Sequence, residues 1–161
     1  MSPAGQKAAG AWPTLVSRGD REVPIVWSLE YETGDRRVDS QHQHLFEYVN
    51  NLHALILTIK DGAPINKRTI EDFLFDLDTY VTVHFAYEEM CMGIRKCPLA
   101  ALNKEVHAKL IAFYTDFAAK AKQDVTLEML MTLENTLAHW LNNHICRIDI
   151  SIKDAPDAGR L

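Results

Sequence analysis

The sequence predicts an all-α fold, an antiparallel up-down-up-down four-helix bundle with an irregular N-terminal arm. Three observations carry this reading. Turn signals at Thr33-Gly34-Asp35, Asp61-Gly62-Ala63-Pro64, Cys97-Pro98 and the polar stretch Lys122 to Thr126 leave four long segments. Each segment carries apolar residues at 3,4 spacing, and no strand-like alternation competes with them. The connections are short, which favours antiparallel neighbours. A chain of 161 residues suits one domain. Residues 1–24 read as the arm, 25–152 as the bundle and 153–161 as a C-terminal tail.

The first seam runs Val38, His42, Leu45, Val49, Leu52, Ile56, Ile59. The second runs Ile70, Leu74, Leu77, Val81, His84, Glu88, Cys91, and the third Ala100, Asn103, His107, Leu110, Tyr114, Phe117, Ala121. The fourth runs Leu130, Leu133, Leu137, Leu141, His144, Ile148.

Composition removes several functions. The net charge of −5 argues against a general nucleic-acid partner, which needs a basic face. No apolar run approaches the ~18 residues of a membrane span. No secretory-type apolar core precedes Pro24, so the cytoplasm is the expected compartment. Cys91, Cys97 and Cys146 form no CxxC pair and read as reduced, partly buried thiols; Cys91 and Cys146 are expected to pack as small hydrophobes, with redox sensing as the alternative. There is no phosphate-binding Gly loop, no nucleophile elbow and no HExxH motif.

Polar residues interrupt every seam. A buried unpaired polar group is costly and a buried unpaired charge more so. His42 and His107 lie near the starts of odd segments, with Asn103 beside His107. His84, Glu88 and His144 lie near the ends of even segments, with Asp149 just beyond. In an antiparallel bundle these positions meet in one layer. One such histidine is most simply a hydrogen-bonded core residue, but this set in register needs a common partner. Four imidazoles and two carboxylates exceed one tetrahedral zinc and fit two metal ions sharing Glu88 and Asp149. His84 and Glu88, at i and i+4, share a helix face. His144 and Asp149, at i and i+5, stand about 140° apart on an ideal helix, so they share a site only if the helix loosens there. His44 and His139 are expected in solvent, and His53 at the core edge.

These residues resemble the hemerythrin family, non-haem di-iron bundles that bind O2, in its bacterial form. The resemblance spans Val26 to Asp149. It rests on Trp27, Thr33-Gly34, Asp39-Ser40-Gln41-His42-Gln43-His44-Leu45-Phe46 and His84-Phe85-Ala86-Tyr87-Glu88-Glu89. It rests also on Cys97-Pro98, His107, and Trp140-Leu141-Asn142-Asn143-His144-Ile145 with Asp149. The resemblance implies a cofactor of two Fe ions (Fe2+/Fe3+) with an oxo or hydroxo bridge. His42 and His84 would hold one iron. His107 and His144 would hold the other, with a further histidine four residues before His107. Glu88 and Asp149 would bridge. O2, or a related ligand such as NO, peroxide or azide, would be taken up at the less saturated iron.

The departure is Asn103, which stands where the family has that further histidine. Three arrangements are open. The amide oxygen coordinates weakly, the amide holds a water in the gap, or the second iron is only partly occupied. The leading expectation is an O2-binding protein (carrier, store or sensor). The alternative is a di-iron oxidase, peroxidase or NO-handling enzyme on the same bundle, its second metal site weakened or opened by Asn103. Ferritin-like carboxylate enzymes use Glu-x-x-His, which is absent. A metal-free structural bundle is disfavoured because Glu88 and Asp149 would be left in the core without counter-charge.

Overall fold

The computed structural model describes residues 25–155. The reading of residues 1–24 as an arm lies outside them, as does most of the expected tail. Among the described residues are four helices, α1 Arg36–Lys60, α2 Lys67–Ile94, α3 Ala100–Gln123 and α4 Leu127–Arg147. Short 3-10 turns at Leu29–Tyr31 and Asp149–Ile152 flank them. The helices pack as a bundle, α1 most extensively on α4 and α2 on α3. No helix among the described residues is long and apolar enough to cross a membrane.

Local chemistry sets the ends. The Asp35 carboxylate accepts from the backbone N–H groups of Arg37 and Val38 and starts α1. Asn66 caps α2 through Thr69 N, and Thr126 caps α4 through Met129 N. α1 runs out at Asp61, followed by Gly62 at φ 102°, a left-handed conformation open to glycine. α2 ends in a paired closure, Cys97 N to Met92 O and Lys96 N to Gly93 O, with Lys96 at φ 53°.

The predicted seams form the core. Every seam residue is buried except Ile59 and Ala100, which are half-buried. The true core is wider, because each helix touches more than one neighbour. Phe46, Phe85, Met92, Ala138, Trp140 and Ile145 fill it from positions beside the seams. Ahead of α1, the chain is pinned across the bundle. Ile25 exchanges two hydrogen bonds of 2.9 Å with the Asn50 side chain, and Trp27 and Tyr31 pack on Phe46.

Two expectations need correction. His53 lies inside the core, not at its edge. Its Nδ1 lies 3.1 Å from Glu134 Oε1, and the pair joins α1 to α4. Cys146 is exposed and packs in no core, while Cys91 and Cys97 are buried. At 100° per residue, position 146 stands on the face opposite His144. His44 and His139 are exposed, as expected.

The His53–Glu134 pair gives a direct test. Removing one member leaves an uncompensated polar group in the core. Urea unfolding of His53→Leu or Glu134→Leu is expected to show a loss of about 1–3 kcal/mol, while the double Leu variant returns close to the wild type.

Candidate metal centre

The layer expected from the seams forms at one end of the bundle. His42, His84, Glu88, Asn103, His107, His144 and Asp149 are all buried there, none more than 2% exposed. α1 supplies His42, α2 supplies His84 and Glu88, and α3 supplies Asn103 and His107. α4 supplies His144.

Asp149 reaches the layer as the i,i+5 spacing demands. α4 stops at Arg147, Ile148 departs from helical geometry (φ −115°, ψ −59°), and the chain continues as a 3-10 turn. The break brings Asp149 Oδ1 to 3.0 Å from His144 Nε2. Arg95 tethers this turn. Its Nη1 donates to Ile152 O, and its Nη2 pairs with Asp35, the residue that caps α1.

Both carboxylates divide their oxygens between the two halves of the layer. Glu88 Oε1 lies 3.4 Å from His42 Nε2, and Oε2 lies 3.2 Å from His107 Nε2 and 4.0 Å from both His84 and His144. Asp149 Oδ2 lies 3.3 Å from His42, while its Oδ1 faces His144. Two candidate ligand groups result, His42–His84–Glu88 and Glu88–His107–His144, with Glu88 common to both.

The unpartnered atoms of this layer test whether metal ions suit it. His42 Nδ1 and Nε2, His84 Nε2, Glu88 Oε1, Asn103 Oδ1, His144 Nδ1 and both Asp149 oxygens make no aligned hydrogen bond at full burial. Buried polar atoms are rarely left so. The His107 and His144 Nε2 atoms face each other at 3.0 Å. The donor set therefore fits a pair of ions that accept both imidazole and carboxylate.

Outer contacts orient the rings. His84 Nδ1–H donates to Gln41 Oε1 at 3.2 Å, and His107 Nδ1–H donates to Glu89 Oε1 at 3.1 Å. Each leaves its Nε2 turned inward, the usual second contact of a ligating histidine. Phe85 stacks on His107 at 3.6 Å and Trp140 on His144 at 4.2 Å, while Trp27 stands 6.1 Å from His42. Gln41 and Glu89 were not singled out in the sequence. Their signal is adjacency, since each directly neighbours a candidate ligand. Glu105 points to solvent and pairs with Lys109.

The histidines also correct the expectation of missing counter-charge. Burial opposes a charge on His42, but Asp149 and Glu88 more than offset it and raise its pKa to about 9. Burial dominates at His84 and lowers it to about 4. Burial likewise pushes Glu88 up, but His107 and His42 outweigh it and hold the carboxyl well below its usual value. Asp149 is lowered against burial and the Glu88 charge, by His144 and His42. Without metal, then, protonated His42 stands between two carboxylates.

A four-helix bundle with two candidate ligand groups joined by a carboxylate defines a class, the bundle proteins with a di-metal site. Within that class the chain belongs to the hemerythrin family. The family's Hemerythrin HHE cation binding domain matches residues 33–153. Bacteriohemerythrin of Pseudomonas aeruginosa is 29% identical over 133 residues, 81% of this chain and 80% of that protein. Bacteriohemerythrin of Methylococcus capsulatus is 30% identical over 126 residues, 78% of this chain and 91% of that protein. That of Stenotrophomonas maltophilia is 28% identical over 123 residues, 75% of this chain and 74% of that protein.

The His42 shift sets a pH dependence. Its pKa is raised on folding, so its contribution to the stability of the metal-free protein is full below the ordinary value of 6.5 and is lost as the pH rises through about 9. Scanning calorimetry of metal-free protein is expected to show the melting temperature falling across that window. A bound ion replaces the His42 proton, so loaded protein shows no such fall. The fall also disappears in His42→Asn.

Proposed function

We propose that the protein is a non-haem di-iron protein that binds O2 for carriage, storage or sensing. In this reading His42 and His84 hold one iron and His107 and His144 the other, with Glu88 and Asp149 shared between them. The observation that carries it is the division of Glu88, one oxygen facing His42 and the other facing His107. A single-ion site does not need a carboxylate with a histidine at each end.

Two irons held here would supply the redox chemistry, with one electron available from each. The chain's own residues do the rest. Gln41 and Glu89 fix the ring orientations and leave the inward nitrogens free to bind. The Glu89 carboxyl oxygen behind His107 Nδ1 makes that imidazole a stronger ligand. Phe85, Trp140 and Trp27 surround the layer with apolar rings, which keeps bulk water out.

A second reading has one observation in its favour. Asn103 brings no imidazole to the His107–His144 side, so two histidines would serve each iron and both irons would be left open to a ligand. That arrangement suits an oxidase, a peroxidase or an NO-handling enzyme.

Anaerobic loading with Fe(II), followed by iron analysis and oxygen titration, separates the readings. The expected result is two irons per chain and one O2 per two irons, released again under argon. Continuous consumption of O2 or peroxide in the presence of a reductant would move the assignment to the enzyme. Glu88→Ala removes the shared ligand and is expected to retain less than one iron per chain.

A further inference from the structure

Asn103 departs from the ligand pattern of the family, and its contacts give it a definite role. It lies in the first turn of α3, fully buried, one turn before His107. Its Nδ2 donates to Glu88 Oε2 at 3.3 Å. That same oxygen lies 3.2 Å from His107 Nε2. The amide orientation follows from chemistry. An ionised carboxylate only accepts, so the NH2 group must face it and the amide oxygen must face elsewhere. That oxygen has no partner in the protein although it is fully buried. An orphaned acceptor at this depth calls for a donor that binds there.

We propose that Asn103 is a positioning residue and not a metal ligand: its Nδ2 fixes the Glu88 oxygen that faces His107 and His144, and its Oδ1 accepts a hydrogen bond from a protic small molecule, water or hydroxide, on that side of the centre. The Oδ1 role rests on the di-metal reading above; the Nδ2 role does not. The amide takes up the space of a ligand without the donor strength of an imidazole, and it spends its donor on the shared carboxylate. The consequence is selectivity. Among anions, a buried acceptor lone pair on that side of the centre favours one that brings a proton, such as hydroxide, over one that does not. It disfavours azide, an anion with none.

Two sets of measurements test this. In metal-free protein, a double-mutant cycle joins Asn103→Leu with Glu88→Met, a side chain that accepts no comparable hydrogen bond. Asn103→Leu is expected to lower the folding equilibrium constant about tenfold in the wild-type background and less than about twofold in the Glu88→Met background. Equal losses in both backgrounds overturn the Nδ2 role.

Cobalt(II) alone then serves as the metal probe, counted by equilibrium dialysis. Asn103→Leu is expected to keep two cobalt ions per chain, as the wild type does. A fall to one shows that Asn103 is a ligand and overturns the proposal. Azide titrated against the cobalt form is expected to bind Asn103→Leu about tenfold more tightly than wild type, and equal affinity overturns the Oδ1 role. Fewer than two cobalt ions in the wild type overturns the di-metal reading and the Oδ1 role together, while the cycle still decides the Nδ2 contact. If Asn103→Leu fails to fold, Asn103→Ala carries both sets.

Discussion

Glu88 and Asp149 sit with no exposure to solvent at one end of an otherwise apolar bundle. An ionised carboxylate so placed loses its hydration and must recover that loss from partners with matching charge or lone-pair demand. The arrangement of the layer follows from this requirement. All four helices present a nitrogen to these two groups: His42 from α1, His84 from α2, His107 and Asn103 from α3, His144 from α4. At this end of a bundle of alternating direction, the polar residues must lie at the starts of odd helices and the ends of even ones. That is where they occur.

The centre also shows how a soft, apolar surround and a few directed contacts divide the work. The stacked rings of Phe85 and Trp140 hold the imidazole planes of His107 and His144 from the side. Gln41 and Glu89 hold two of the rings from behind, and the outer nitrogens of His42 and His144 have no such partner. Each half of the layer therefore contains one ring anchored by a hydrogen bond and one held by packing or by its carboxylate alone.

Much of this was legible in the sequence because it depends on periodicity. The seams placed His42, His84, Glu88, Asn103, His107 and His144 in one layer, and the helix signals came from turns whose chemistry is local. The His144–Asp149 spacing was legible as a conflict. A five-residue step does not share a helical face, and the structure resolves the conflict by ending α4 at Arg147. The contacts that sequence did not reveal are those set by neighbouring helices. His53 and Glu134 lie 81 positions apart, and no local pattern shows that they meet. Cys146 fell close to the layer in sequence, yet its rotation about α4 turns it outward. Asn103 was legible as a departure. The direction of its amide depends on Glu88, a residue of another helix.

The two shared carboxylates are carried on very different pieces of backbone. Glu88 lies well inside α2, nearly two turns short of its end at Ile94, held by helical hydrogen bonds on both sides. Asp149 lies beyond the last turn of α4, on a four-residue turn tethered through Ile152 O to Arg95. Moving the backbone of Glu88 requires α2 to unwind, whereas moving that of Asp149 requires a short turn to come away with its Arg95 tether and the buried Ile148 and Ile152 side chains. Local opening free energies scale with how much structure must be undone. The same kind of functional group thus rides on a long helix on one side of the layer and on a short, separately anchored turn on the other.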